Sequence, residues 1–291
     1  MINNIYISSY QELIENINKI KIKTERKKIF DELKDYKLYF RGQANVEWEL
    51  KPNILRSNFL ESEQLSNLNG TNEFNRLAIA QHYGHKTRCL DFTRNFKIAL
   101  YFVCNPSDNP EKDGALYIID AYGHRPSWFT NILANYVSTT SDSIVNAHTF
   151  GEKIAKNQNI INEFERTGRS ICDIDEYIQN YLGPGFLVDF EGETELFGKY
   201  TRILKQEGAL FYFGSRYFRY GNEPEGEKNM VRLNYDELND YCYYNHFISL
   251  HELNENSLDK IDIDKLIIPQ YLKKEIFKEI NISAKDLGLE D

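Results

Sequence analysis

Apolar residues recur with helical spacing in several stretches of this chain, and with strand spacing in shorter ones between them. Leu13, Ile14, Ile17 and Ile20 share one face of residues 9–36, which read as a helix with Ser9 as N-cap and Glu12 completing a capping box. A short strand is predicted at 37–41, ended by Gly42, followed by an irregular stretch in which Trp48, Leu50 and Pro52 pack over the core. The Asn- and Ser-rich residues 61–70 read as a loop. Phe74, Leu77, Ala78 and Gln81 stand at i, i+3, i+4 and i+7, so a helix is expected from Thr71 to about Tyr83, with Gln81 extending its apolar face and Gly84 as its C′ residue. Thr93 is placed to cap a further helix in which Phe96, Ala99, Leu100 and Val103 face inward until Asn105-Pro106 stops it. Gly114 to Asp120 then reads as a buried strand.

Residues 122–198 mix helical patches, at Ile154 to Glu165 and Ile174 to Leu182, with Gly183-Pro184-Gly185 and an acidic turn at Glu191–Glu195. They read as a mostly helical insertion. Strands are expected at Ala209 to Phe213, Met230 to Leu233 and Ile261 to Ile268, the last closed by Pro269. A final helix over 270–280 places Leu272, Ile276 and Ile280 on one face. Together these elements predict one α+β domain over residues 1–291, with a mixed or antiparallel sheet flanked by helices.

Composition narrows the function classes. With 291 residues and 41% hydrophobic side chains the chain can bury a sizeable core. A net charge of -9 argues against a broad electrostatic footprint for duplex nucleic acid, though a local basic cleft remains open. The start shows no basic segment followed by an apolar one, and no apolar run is long enough to span a bilayer, so a cytoplasmic protein without membrane contact is expected. Cys89, Cys104, Cys172 and Cys242 lack CxxC spacing and read as free thiols.

The chemistry-bearing positions fall in three places. Arg41 ends a predicted strand beside Gly42, where its planar fork can lie against phosphate or carboxylate; the structural alternative pairs it with an acid such as Asp91. His82 and Tyr83 sit at a helix C-terminus, whose dipole favours imidazolium, so His82 is a candidate general acid, with backbone capping or core bonding as the alternative. His82, His85 and Cys89 could share a zinc ion, but no fourth ligand follows at a metal-like interval, and no metal is expected. Thr87, Arg88, Asp91 and Thr93 form a polar knot between two helices, in which Asp91 accepts from backbone amides or Arg88, and Arg88 near Arg41 would clamp a pyrophosphate. Gln206 and Glu207 lead into a strand; in an extended segment they point to opposite faces, so only one can enter a cleft with Arg41. A carboxylate or amide there suits the holding of ribose hydroxyls at an oxocarbenium-like centre.

Phe40-Arg41-Gly42-Gln43 with Trp48, Leu50, Pro52 and Arg56, then Gln81-His82-Tyr83-Gly84, Thr87-Arg88, Leu90-Asp91 and Thr93, and then Ala99-Leu100-Tyr101-Phe102 resemble the FRG domain family of bacteria. Arg202-Ile203, Gln206, Gly208, Lys265 to Pro269, Lys274 and Ile276 extend the resemblance over nearly the whole chain; His85, Lys86, Cys89 and Phe92 depart from the family pattern. The order of an Arg-bearing strand, a central aromatic motif and a late Gln/Glu-bearing strand looks like the plan of mono-ADP-ribosyltransferases, which implies a strongly bent sheet holding NAD. FRG proteins are similar in size and gene company to bacterial toxins and anti-phage defence effectors. The resemblance thus implies an effector that binds NAD or a related nucleotide and cleaves or transfers ADP-ribose, with a protein or nucleic-acid acceptor. Arg41, Gly42, Gln43, Gln81, Tyr83, Arg88 and Asp91 would bind the ligand, Tyr83 by stacking, and Gln206, Glu207 and His82 would serve catalysis. A non-enzymatic nucleotide sensor or protein-interaction module is the alternative. A metal-dependent nuclease would need clustered acids near Arg41, and none stand there.

Overall fold

The computed structural model describes residues 2–30, 36–50, 52, 73–87, 89–122, 145–146, 162, 186–191, 201–212, 218–219 and 263–289. Its strands are β1 (Ile2–Tyr6), β2 (Tyr36–Gln43), β3 (Cys89–Thr93), β4 (Gly114–Tyr122), β5 (Val145–Asn146), β6 (Phe186–Asp189), β7 (Gly208–Tyr212), β8 (Phe218–Arg219) and β9 (Ile263–Ile268). Its helices are α1 (Tyr10–Phe30), α2 (Glu73–His82), α3 (Phe96–Cys104), α4 (Thr201–Lys205) and α5 (Gln270–Ile280). Seven of the strands form one open mixed sheet in the order β1-β9-β4-β2-β3-β7-β6, giving an α+β architecture. β1 runs parallel to β9 and the other pairings in this sheet are antiparallel.

Alternation along the strands loads both faces. Phe40, Leu116, Ile118, Leu266 and Ile268 pack with Leu100, Val103, Leu272 and Ile276 of α3 and α5. Tyr39, Leu90, Phe92, Tyr117, Ile119 and Phe211 form a second buried cluster. Because side chains of successive residues leave a strand on opposite sides, Tyr39 and Phe40 fall into different clusters.

Local signals hold where they are local. Ser9 accepts the Glu12 amide at 3.1 Å, Gly84 has φ 79 after α2, and α3 gives way to Asn105. Tertiary packing alters other expectations. Gly42 does not end β2, which continues to Gln43. A Cβ at Gly42 would lie 1.9 Å from the carbonyl oxygen of Ala99, so the absent side chain lets α3 sit directly on the strand. Asn95, not Thr93, caps α3, accepting the Lys97 amide through its side chain. Thr93 instead ends β3, where its hydroxyl donates to the carbonyl of Gln206 and accepts the Asn95 amide. Asp91 and Thr93 of the polar knot expected between two helices thus belong to an interior strand of the sheet, with Thr87 just before it. Residues 186–189, assigned by sequence to the insertion, are the edge strand β6.

Gln206 and Glu207 are not extended. They form the turn between α4 and β7, with Glu207 at φ 46, so opposite-face reasoning does not apply to them. Arg56, Arg88, the loop at 61–70, the helical patches of the insertion apart from Asn162, the strand at Met230 to Leu233, Cys172 and Cys242 lie outside the described residues. Cys89 and Cys104 are buried outside any disulfide, and burial pushes the Cys104 thiol up to about 12.

Candidate functional site

The sheet is unevenly zipped around β2. On one side, eight consecutive residues from Tyr36 to Gln43 pair with β4. On the other, β2 and β3 pair only at Phe40 and Thr93. Continued antiparallel register would set Gly42 opposite Asp91; instead the Arg41 guanidinium spans the opening, its NH1 donating to the Asp91 carbonyl at 2.8 Å. A split of this kind removes ladder bonds and leaves a concavity lined by strand backbone and the helices above it.

That concavity is a cavity of about 290 Å³. Phe40, Phe92, Ile98 and Phe102 supply apolar wall, while Arg41, Gln43, Gln81, His82, Asp91, Arg202 and Gln206 bring polar groups to it. Two lysines hold its outer loop in place: Lys273 donates to the carbonyls of Ala44 and Asn109, and Lys265 to that of Val46. Trp48 on this loop lines the cavity and is 41% exposed, rather than packed over the core.

The polar groups differ in how far they are already engaged. Arg41 lies 3.8 Å from the Asp91 carboxylate as well as bonding its carbonyl, so the structural pairing with Asp91 and a place in the cavity coexist. The Gln81 amide donates to Asp91 at 2.7 Å and accepts the Thr87 hydroxyl, which explains a glutamine where the helical pattern expects an apolar residue. Asp91 therefore rests on Gln81 and Arg41, not on backbone amides. His82 behaves oppositely to the dipole argument: burial dominates and lowers its pKa, Arg202 adds to the lowering, and Asp91 opposes it. Its Nε2 is buried without a hydrogen-bond partner. The C-terminal carbonyl charge of α2 is met by Arg202, whose NH1 donates to the His82 carbonyl at 2.7 Å.

Of the residues singled out from sequence, Arg41, Gly42, Gln43, Gln81, His82, Asp91 and Gln206 line this one cavity. Gln206 is buried, with its amide donating to the Leu287 carbonyl at 3.1 Å. Glu207 does not line it; its carboxylate accepts from Asn95 at 2.8 Å. Tyr83 is 67% exposed and also lies away from the cavity wall. Arg202 and Asp108 line it without having been marked as site residues. Arg202 carried a signal that sequence reading left unused, a basic residue four positions before Gln206. It is a second arginine lining the cavity with Arg41. Among the described residues no cluster of His, Cys, Asp or Glu could hold a metal ion, and no helix is long and apolar enough to cross a membrane.

Residues 58–112 match the family model of the FRG domain. This segment contains Gln81, His82 and Asp91, whereas the Phe40-Arg41-Gly42 tripeptide and Gln206 lie outside the matched FRG segment and join it only in space. No significant match to a curated protein or to a solved structure was found.

Proposed function

We propose that the cleft between β2 and β3 binds NAD or a related nucleotide and that the protein cleaves or transfers its ADP-ribose. The observation that carries this reading is convergence: Arg41, His82 and Gln206 come from three separate segments and line the same cavity. Its volume, about 290 Å³, stands at the lower end of the roughly 300–1,000 Å³ of small-molecule sites, enough for one end of a dinucleotide. Arg41 and Arg202 are the cations available to a pyrophosphate. In such a reaction the bond between ribose C1′ and the nicotinamide nitrogen breaks with its electron pair leaving on nicotinamide. Water or an acceptor nucleophile on a protein or nucleic acid then adds to C1′. An effector of this kind would act as the FRG resemblance implies for bacterial toxins and anti-phage defence.

A second reading, a non-enzymatic nucleotide sensor, is favoured by one specific observation: Glu207 is turned to Asn95 and away from the cavity. Purified protein incubated with NAD, with and without nucleic-acid and protein acceptors, distinguishes them. Free nicotinamide identifies the enzyme, and calorimetric NAD binding without release identifies the sensor. Neither release nor binding would remove both.

A further inference from the structure

Two aspartates of the sheet are held in contrasting ways. Asp189 on β6 is 4% exposed at its side chain, accepts from the Tyr39 hydroxyl at 2.9 Å and from the Glu191 amide at 3.0 Å, and is ion-paired with Arg94 at 3.3 Å. Both of its oxygens are used, as a structural carboxylate requires. Asp91 on the interior strand β3 keeps 43% of its side chain open. It lies where β2 and β3 part, and it lines the cavity there. Its Oδ1 is occluded and without a partner, which leaves Oδ2 as the oxygen a ligand can meet.

That same Oδ2 is held by a directed chain. The Cys89 amide can only donate, and it donates to the Thr87 hydroxyl at 3.1 Å. Thr87 therefore turns its proton to Gln81 Oε1, which fixes the Gln81 amide with its nitrogen toward Asp91 Oδ2 at 2.7 Å. The chain ends on an acceptor-only group. Buried support behind an open carboxylate is the arrangement that pre-orients a binding group.

We infer that Asp91 is a ligand-contacting carboxylate, positioned by Gln81 and Thr87, and that its Oδ2 accepts an O–H donor of the ligand, as a ribose hydroxyl presents it. The choice of ribose rests on the nucleotide reading above. Asp91 takes the part expected of Glu207, which the α4–β7 turn carries elsewhere.

The test measures binding of NAD, adenosine and inorganic pyrophosphate to the full chain by calorimetry or ligand-observed NMR, with thermal melting to establish folding. For wild type, NAD and adenosine bind, and Asp91→Asn weakens both about tenfold or more while pyrophosphate, which has no ribose, loses no affinity. Thr87→Val weakens them less and Thr87→Ser restores them, a pattern that also decides the matter if Asp91→Asn does not fold. NAD binding that is equal in wild type and Asp91→Asn overturns the assignment and leaves the nucleotide reading standing. Asp91-dependent binding of adenosine without binding of NAD keeps the assignment and removes the NAD reading. No binding of either diol-bearing probe to wild type overturns both.

Discussion

The two edges of β2 perform different tasks with the same backbone. Toward β4 the strand is paired over its whole length, with Tyr39 and Phe40 delivering side chains to two separate cores. Toward β3 it is paired at one point, and a guanidinium replaces the next ladder bond. The first edge buries surface and satisfies every register position; the second gives up ladder bonds and gains a cavity. A sheet that would be most stable fully zipped is thus left open where the polar residues converge, the pattern expected when a binding site is built into a scaffold.

The sharpest way to break the comparison is to attack the point where the two edges meet. Gly42→Val should cost ~3 kcal/mol or more, because a side chain there runs into the Ala99 carbonyl and α3 must lift from β2. Denaturant unfolding measures it. Gly84→Ala serves as contrast: no atom lies within 4 Å of a Cβ there, so only the strain of φ 79 remains, about 1 kcal/mol.

Next in size is the closed side. Asp189→Asn should destabilise by ~2 kcal/mol, since Arg94 and the Tyr39 hydroxyl lose a buried charged partner. Nucleotide binding should stay unchanged, because Asp189 does not line the cavity. Arg41→Met is the reciprocal experiment. It should cost only ~1 kcal/mol of stability, as the side chain is partly exposed, yet weaken binding of any nucleotide ligand. Equal effects of the two variants on stability and on binding would erase the distinction between the edges.

The smallest effect is a pH dependence carried by His82. Burial lowers its pKa in the folded state, so the unfolded chain binds the proton more readily at acid pH. Its contribution is fully favourable above the unfolded value of about 6.5 and is lost as pH falls from there through the lowered folded value. His82→Gln should flatten the fall in melting temperature below that pH. An unchanged slope would place the acid sensitivity elsewhere.

Much of the helical framework was legible from the chain. The Ser9 cap, the αL glycine after α2, and the stop at Asn105-Pro106 each depend on contacts within a few residues, so they survive being read locally. β3 was not legible, because Cys-Leu-Asp-Phe-Thr carries a charge in its middle and resembles a polar connection. Only pairing with β7 makes it a strand. β1 was missed for a related reason: its hydrogen-bond partners are in β9, near the other end of the chain. The candidate site was legible as residue types and not as roles. Arg41, His82, Asp91 and Gln206 were singled out by residue type, but Glu207 and Tyr83 were assigned to a cavity they do not line.

By itself the sequence determined α1, α2, α3 and α5, the Ser9 cap and the αL glycine after α2, the α+β class and the FRG resemblance, since all of these are written in short-range spacing. Tertiary structure alone decided that β2 and β3 part after Phe40, that Arg202 joins Arg41 at the cavity, and that Asp91 stays open where Asp189 is closed. The physical reason is that the surroundings of a polar side chain depend on which distant strand pairs beside it, and the spacing of residues along the chain carries no record of that choice.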